Sequence, residues 1–223
     1  MSDTREHARQ LARSYASRGD FLGWFEEVYR QAGDDLHQVP WADLRPNPNL
    51  LAWAEAAKLN GTGKRAAVVG CGLGDDAEAL SVAGFDIVAF DIAPTAIAAA
   101  RRRFPSSSVD YQVADLFGLP KDWASSFDFV LESYTLQVLP PHMQPLAMRC
   151  IAQLVRPSGS LLIICRGRDK HEPASAGLHW LLAREDFYPI LSAGLEEVRF
   201  EDYADPEEPN VRRFRAEYRR FQR

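Results

Sequence analysis

A short apolar run, Ala66-Ala67-Val68-Val69, passes directly into a turn that contains three glycines, Gly70, Gly72 and Gly74. Such a run is typical of a buried strand, and glycine permits both a sharp exit from the strand and a close approach of a ligand to the backbone. Beyond this turn, short apolar runs alternate with helical patterns. The alternation predicts an α/β fold, a doubly wound and mostly parallel sheet of seven strands covered by helices on both faces.

The predicted sheet has five parallel strands followed by two less buried ones. The strands are expected at 66–69, 86–91, 109–113, 127–131, 160–165, 196–203 and about 211–218. The helices between them are expected near 75–83, 93–104, 143–154 and 184–192.

Residues 1–60 are predicted to form an N-terminal helical arm, and residues 61–223 the ligand-binding domain. Three helical patterns occur in the arm, near 4–17, 20–31 and 50–59. The segment 39–49 holds three prolines, which favour an extended loop. The arm is expected to act as a lid on the domain.

Composition limits the partners that the chain is expected to have. The 26 Lys and Arg residues against 31 Asp and Glu give a formal net charge of −5, which argues against a nucleic-acid partner. The three cysteines lack metal or disulfide spacing, so reduced thiols and no metal site are expected. The chain opens on a polar segment and no apolar run approaches the length of a membrane span. A cytoplasmic protein without a membrane partner is therefore predicted.

Acidic residues follow the glycine turn and the next two strands. Asp91 lies about twenty residues beyond the turn, where a carboxylate can bind two ribose hydroxyls. Asp115 follows the third strand, where it can accept a hydrogen bond from an adenine amino group. Because the carboxyl ends of parallel strands meet at one edge of the sheet, both acids are expected beside the glycine turn. An adenosyl group fits this arrangement.

The glycine spacing weighs against a dinucleotide. The dinucleotide fingerprint needs glycine or alanine at the sixth position from Gly70, and that position is Asp75. Asp75 and Asp76 would also repel a pyrophosphate at the start of the following helix, whereas they tolerate a ligand that carries an ammonium group. An NAD-dependent enzyme with a shortened glycine turn is therefore the less favoured alternative.

Together these residues resemble class I S-adenosylmethionine-dependent methyltransferases. The turn Gly70–Gly74 is similar to their first motif, Asp91 to the acid after the second strand, and Asp115 to the acid beside adenine. The resemblance implies S-adenosyl-L-methionine as cofactor and S-adenosyl-L-homocysteine as product. The cofactor contacts that it implies here are Gly70, Cys71, Gly72, Gly74, Asp91, Ile92, Asp115 and Leu116. Val68 departs from the pattern, since many members carry an acid at that position.

The departure at Val68 is shared by the thiopurine methyltransferase-like group, which includes thiol and halide methyltransferases. That group is also similar to this chain in the arm, where Pro40-Trp41-Ala42-Asp43 resembles its Pro-Trp-Asp segment with one residue inserted. The resemblance implies that Trp41 and Trp24 contact the cofactor from a lid. The alternative is that both tryptophans only pack the arm against the sheet.

The end of the fourth strand supplies further candidates. Glu132 and Ser133 match the family's acid and polar residue at this strand end, which implies contact with the cofactor. Glu132 has an alternative role, holding backbone amides of the following turn. Tyr134 and Gln137 are expected in the wall of the site, and His179 with Trp180 in a loop that roofs the acceptor.

The reaction expected is transfer of a methyl group to a small molecule, most readily S-methylation of a thiol-like or thiopurine-like acceptor. A thiolate is partly present near neutral pH and needs no base, whereas a hydroxyl acceptor needs one, for which Glu132, Tyr134 and His179 are the catalytic candidates. N- or O-methylation of a secondary metabolite is the alternative. A non-catalytic nucleotide-binding module also stays open, as does the choice between monomer and homodimer.

Overall fold

The computed structural model describes residues 2–176 and 178–222. Nine strands occur in these residues, of which β6 and β7 form a separate small hairpin. They are β1 (Arg65–Val69), β2 (Asp86–Asp91), β3 (Asp110–Val113), β4 (Phe127–Ser133), β5 (Val155–Arg166), β6 (Ser175–Ala176), β7 (His179–Trp180), β8 (Glu196–Ala204) and β9 (Arg212–Arg219).

The main sheet has seven strands in the order β3-β2-β1-β4-β5-β9-β8. Strands β1 to β5 are parallel to one another, whereas β9 is antiparallel to both β5 and β8. The strand order reverses between β1 and β4, so the carboxyl ends of these two strands flank the crevice where sheets of this kind bind ligands. The prediction of a seven-stranded, mostly parallel, doubly wound sheet is confirmed.

Seven α-helices accompany the strands in the described residues. They are α1 (Ser2–Ala16), α2 (Gly23–Ala32), α3 (Pro48–Ala56), α4 (Asp75–Val82), α5 (Pro94–Arg103), α6 (Gln144–Leu154) and α7 (Tyr188–Ser192). The helix expected at 184–192 begins instead as a 3-10 turn, Arg184–Phe187, before α7. Across residues 2–176 and 178–222 no helix has both the length and the apolarity that a bilayer span requires.

Strand β5 is longer than expected because a turn signal lies inside it. The sequence Pro157-Ser158-Gly159 predicted a break before 160, yet pairing with β4 begins at Val155. The register shifts between the pair Phe127–Val155 and the pair Phe129–Ser160, and Ser158 adopts a positive φ of 66°. The chain therefore forms a bulge, which accommodates the turn residues within the strand.

Two apolar cores lie on the two faces of the sheet, and β1 contributes to both. Ala67 and Val69 belong to the core that includes α6, whereas Ala66 and Val68 belong to the core that includes α3 and α4. All four side chains are buried, as expected for a central parallel strand.

The N-terminal arm packs on the edge of the domain that carries the glycine turn. Trp24 and Val28 of α2 form a third apolar cluster with Leu73 of the turn and Ala96 of α5. Glu26 also accepts a hydrogen bond from the Thr95 amide at 3.0 Å, at the start of α5. The arm therefore lies over the glycine turn and α5, and its role as a lid stays a prediction.

Candidate active site

A cavity of about 520 Å³ opens at the carboxyl ends of the parallel strands. Its floor is formed by residues that follow β1 to β5, and its walls by the arm, the β6–β7 hairpin and the loop between β8 and β9. The size is that of a site for small molecules, and the position is the one that the strand order favours.

Two glycines shape the floor of the cavity beside β1. Gly70 has φ of +60°, and a Cβ there would lie 2.2 Å from Thr135 Oγ1. Gly72 has φ of +51°, and a Cβ there would lie 3.0 Å from the Tyr29 hydroxyl of the arm. Side chains at these positions would therefore be strained and would clash with neighbours on both sides of the turn.

Gly74 has a structural role at the start of α4. It does not line the cavity, and a Cβ at this position would lie 2.4 Å from the Tyr111 hydroxyl, with φ at +92°. The residue precedes α4 and lets the helix start against β3. A cofactor contact at Gly74 stays a prediction.

Asp91 is held at the end of β2 by two backbone amides. Oδ2 accepts from the Gly72 amide and Oδ1 from the Ala93 amide, both at 2.9 Å. Burial raises the pKa of Asp91, and the two amides oppose that rise. Each carboxylate oxygen can accept a second hydrogen bond, so Asp91 in the cavity wall keeps the capacity for two further donors.

The other expected cofactor residues surround the same part of the cavity. Asp115 is exposed, and its Oδ1 accepts from the Phe117 amide at 2.9 Å. Burial raises the pKa of the Cys71 thiol, so this thiol stays protonated at neutral pH. The expected cofactor residues that line the cavity are Trp41, Gly70, Cys71, Gly72, Asp91, Ile92, Asp115, Leu116 and Ser133.

The structure distinguishes the two adjacent acids after the glycine turn. Both oxygens of Asp75 accept from the Arg103 guanidinium, at 2.6 and 2.7 Å. Asp76 instead accepts from the Asn47 amide at 2.7 Å and from the Ser133 hydroxyl, and burial raises its pKa to about 6. Asp76 therefore carries no cationic partner in the described residues and remains largely ionised at pH 7.

Glu132 lies outside the cavity wall. Its side chain is fully buried, and Oε1 accepts from the amides of Thr135 and Leu136 at 2.7 and 2.8 Å. Oε2 has no hydrogen-bond partner among the described residues, and burial raises the pKa of Glu132 to about 7. The side chain thus holds backbone amides of the turn after β4, which is the alternative role expected for it, and its contact with cofactor or acceptor stays a prediction.

Tyr134 and Gln137 both line the cavity, as expected. Burial raises the pKa of Tyr134, so its hydroxyl stays protonated at neutral pH. This hydroxyl lies 3.3 Å from Asn49 Nδ2, which donates to it. Gln137 Oε1 accepts from the Arg166 amide at 2.7 Å and thereby fixes the end of β5.

His179 and Trp180 lie in the β6–β7 hairpin, which the sequence did not predict. The hairpin pairs Ala176 with His179 and Ser175 with Trp180. His179 lines the cavity, whereas Trp180 does not. Each strand of this hairpin has only two residues, which is too short for an alternation of apolar and polar residues to identify it in the sequence.

The two arm tryptophans have different positions. Trp41 lines the cavity, and its Nε1 donates to the Tyr29 hydroxyl at 2.9 Å. Trp24 is 3% exposed, does not line the cavity and donates to the Phe21 carbonyl at 3.1 Å. The expectation of a cofactor contact from Trp24 is corrected, because the side chain belongs to the core between the arm and the domain.

A buried polar network on the far side of the cavity was missed by the sequence analysis. Arg213 Nε donates to Asp205 Oδ2 at 2.6 Å, and their side chains are 8% and 4% exposed. Asn49 accepts from the Tyr203 hydroxyl at 2.7 Å, and Asn47 Nδ2 donates to Ser133 Oγ at 2.8 Å. These partners come from the arm, β4 and the β8–β9 region, so no local spacing signals them.

Comparison with known proteins places this geometry among methyltransferases. Residues 67–159 match the family model of a methyltransferase domain. A ubiquinone biosynthesis O-methyltransferase of Xanthomonas campestris is 32% identical over 165 residues, which is 73% of this chain and 65% of that protein. A probable thiol methyltransferase of Arabidopsis thaliana is 27% identical over 71% of this chain and 68% of that protein.

A solved structure extends the similarity over nearly the whole chain. The 1,6-didemethyltoxoflavin N1-methyltransferase of Burkholderia thailandensis superposes with a TM-score of 0.67, at 18% identity, over 94% of this chain and 90% of that one. The chain thus spans about two thirds of the Xanthomonas protein and almost all of the Burkholderia fold. Residues 67–159 are thus similar to a methyltransferase domain.

Proposed function

We propose that the protein transfers a methyl group from S-adenosylmethionine to a small-molecule acceptor in the 520 Å³ cavity. The observation that carries the proposal is the set of acids around the glycine turn. Asp91 and Asp115 line one side of the cavity, and Asp76 lines it beside Ser133. This set suits a ligand with hydroxyl, amino and ammonium donors better than a pyrophosphate.

Each acid has a proposed partner on the cofactor. Asp91 would accept from the two ribose hydroxyls through the lone pairs that the Gly72 and Ala93 amides leave available. Asp115 would accept from the adenine amino group. Asp76 would face the ammonium of the methionine end, in place of the acid that is absent at Val68, because the Arg103 guanidinium already occupies Asp75.

When bound, the cofactor supplies a methyl group that its sulfonium has already activated. The chain then has to align the acceptor, exclude water and remove a proton where the acceptor is a hydroxyl. Glu132 is outside the cavity and Tyr134 is protonated at neutral pH. His179, in the cavity wall, is therefore the base that we propose for a hydroxyl acceptor.

A thiol acceptor is the second candidate. It needs no dedicated base, because a thiolate is partly populated near neutral pH. The inward position of Glu132 and the protonated state of Tyr134 leave few bases in the cavity, which favours this candidate. The similarity to the Xanthomonas O-methyltransferase supports the hydroxyl acceptor, and the similarity to the Arabidopsis protein supports the thiol.

The first experiment is calorimetric titration with S-adenosylmethionine, S-adenosylhomocysteine and NAD in parallel. We expect binding of the first two and no binding of NAD. Binding of NAD alone would replace the proposal with the dinucleotide alternative, and absence of binding by all three would overturn it.

Methyl transfer from S-adenosylmethionine to catechol and to thiophenol then distinguishes the two acceptor classes by mass spectrometry. With His179 as base, His179→Gln should lower catechol methylation at least tenfold and leave thiophenol methylation within about twofold. His171→Gln, at an exposed histidine that does not line the cavity, is the matched control. Equal effects of the two variants on catechol would remove His179 from the mechanism.

A further inference from the structure

Five arginines line the cavity, namely Arg5, Arg9, Arg45, Arg166 and Arg213. Arg166 ends β5, and Arg5 and Arg9 lie one turn apart on α1, so they face the same side of that helix. We refer to Arg5, Arg9 and Arg166 as the arginine cluster. The cofactor does not require it, since the proposed cofactor contacts lie at the ends of β1 to β4.

Arg166 has an unused donor in a buried position. Its Nε is inaccessible to solvent and has no hydrogen-bond partner among the described residues. Burial lowers the pKa of Arg166, and the positive charges of Arg213 and Arg5 lower it further. The Arg166 guanidinium therefore lies near the like charges of Arg213 and Arg5 and has one donor without a hydrogen bond. Both features lower the stability of the fold.

The carboxylate that Arg166 does contact is weakly held. Glu208 Oε2 lies 3.3 Å from Arg166 Nη2 and 3.8 Å from Arg213 Nη2, and the Glu208 side chain is 46% exposed. An exposed, long contact of this kind is worth little and is readily replaced. Glu208 thus occupies a position where a carboxylate is favoured without satisfying Nε.

The arm arginines add to the same local charge. Arg9 Nε is also buried without a hydrogen-bond partner in the described residues, although Arg9 Nη1 pairs with Glu6 at 3.0 Å. Arg5 makes no ion pair within the part of the chain that the structure describes. Its positive charge lowers the pKa of Arg166. The arginine cluster therefore contains two buried donors without a hydrogen-bond partner in the described residues, Arg166 Nε and Arg9 Nε.

Two other acids of the cavity wall are paired with arginines outside the arginine cluster. Asp205 is paired with Arg213 at 2.6 Å, and Glu207 with Arg45 at 2.6 Å. Neither carboxylate contacts Arg166 through an ion pair in the described residues. Glu208 is thus the carboxylate that a ligand would have to replace at Arg166.

We propose that the methyl acceptor carries a carboxylate, which Arg166 binds through Nη1 and Nη2 in place of Glu208 and which Arg5 approaches from the arm. A guanidinium presents these two donors as a fork that matches the two oxygens of a carboxylate. The inference rests on the proposed function, because it assigns the acceptor that the cavity would hold. It also connects the arm with substrate choice, since two of the three arginines lie on α1.

The test compares aromatic carboxylates with their neutral amides. Calorimetry measures the binding of 3,4-dihydroxybenzoate and 4-mercaptobenzoate to the protein saturated with S-adenosylhomocysteine, and of the corresponding benzamides. We expect each carboxylate to bind at least about tenfold more tightly than its amide. Arg166→Gln should abolish this preference, and Glu208→Gln should strengthen carboxylate binding, since it removes the competing side chain.

Arg45→Gln is the matched control. It removes one positive charge from the same cavity, but Arg45 is 55% exposed and already paired with Glu207. Carboxylate affinity should change by less than about twofold in this variant. Thermal unfolding of all variants checks that the fold is intact.

The outcomes separate this inference from the proposed function. If S-adenosylhomocysteine binds and no carboxylate binds better than its amide, the inference is overturned while the proposed function stands. Equal losses in Arg166→Gln and Arg45→Gln would also overturn it, because general electrostatics would then explain the preference. If S-adenosylhomocysteine itself fails to bind, the proposed function fails first.

Discussion

The two sides of the cavity are built in different ways. On the side where we propose that the cofactor binds, called the cofactor side, the ends of β1, β2 and β3 present glycines and acids that are held mainly by backbone amides close in sequence, as Asp91 is by the Ala93 amide. On the side where we propose that the acceptor binds, called the acceptor side, side chains from the arm, β5, β8 and β9 hold one another, as Arg213 and Asp205 do. The contacts on the cofactor side join residues close in sequence, whereas the contacts on the acceptor side join segments far apart in the chain.

The comparison suggests a division of roles. A cofactor shared by many enzymes can be held by a turn and strand ends that the fold always brings together. An acceptor that differs between enzymes is better recognised by side chains on loops and arms, which can change without altering the sheet. The two sides should therefore respond to substitution in separable ways.

The largest effect is expected at the buried ion pair of the acceptor side. Asp205→Ala leaves the Arg213 guanidinium buried without its partner and should lower the free energy of unfolding by about 3–5 kcal/mol. Chemical denaturation measures the change. Glu207→Ala, which removes the exposed partner of Arg45, should cost less than about 1 kcal/mol. If Asp205→Ala also abolished S-adenosylhomocysteine binding in the folded protein, the two sides would not be separable.

The next effect is expected on the cofactor side. Asp91→Ala should weaken S-adenosylmethionine binding by about 1.5–3 kcal/mol, because hydrogen bonds to a charged group would be lost. Titration calorimetry measures the affinity. Asp86→Ala, at the exposed opposite end of the same strand, is the control and should leave affinity unchanged. Unchanged affinity in Asp91→Ala would exclude the ribose assignment.

The charge state of Glu132, which holds the turn after β4, should make the free energy of unfolding depend on pH. The pKa of Glu132 is raised from 4.5 to about 7, so the folded protein keeps a proton that the unfolded chain has lost in this range. The free energy of unfolding should therefore fall as pH rises from about 4.5 to 7 and stay low above pH 7. Glu132→Gln should remove this fall and be more stable than the parent at pH 8 by about 1–3 kcal/mol.

Denaturation curves at pH 5 and pH 8 measure the effect, and Asp128→Asn on the same strand is the control. Asp128 accepts from the Arg65 amide at 3.0 Å and pairs with Arg156 at 2.5 Å, so its loss should destabilise the protein at pH 8. A less stable Glu132→Gln variant at pH 8 would show that the carboxylate is stabilising in the fold.

The smallest effect is expected in the arm. Trp41→Phe keeps an aromatic ring but removes the N–H that donates to the Tyr29 hydroxyl, which should cost about 0.5–1.5 kcal/mol. If Trp41 contacts the cofactor, the loss should appear in S-adenosylmethionine affinity more than in the melting temperature of the free protein. Trp24→Phe, in the arm core, should show the reverse. Equal behaviour of the two variants would assign Trp41 to packing alone.

Much of the sheet could be predicted because its signals are local. Strand β2 was predicted with its observed bounds, and β1 and β8 to within one residue, since each is a short run between turn residues. The β6–β7 hairpin was missed because two residues per strand give no periodicity. The bulge in β5 was missed because Pro157 and Gly159 are ordinary turn signals, and only pairing with β4 and β9 keeps them in a strand.

The candidate site likewise contains residues with local sequence signals and residues whose position depends on tertiary contacts. Asp91, Asp115, Gly70 and Gly72 line the cavity, and they could be picked out beforehand because glycine turns and acids at strand ends are defined by spacing. The sequence left two roles open for Glu132, because the same spacing allows a side chain to turn either toward a ligand or back onto the amides of its own turn. The two amides of Thr135 and Leu136 decide that choice, and their direction depends on the turn geometry.

Local sequence patterns predict the alternation that makes an α/β sheet, the glycines that bend the chain after β1 and the acids that meet at the sheet edge. These features follow from periodicity and turn chemistry, which act over a few residues. The three-dimensional contacts are needed to show that Arg103 pairs with Asp75 rather than with Asp76, and that the charge of Arg5 acts on Arg166. Those outcomes depend on contacts between segments far apart in the chain, and local sequence patterns carry no record of which segments will meet.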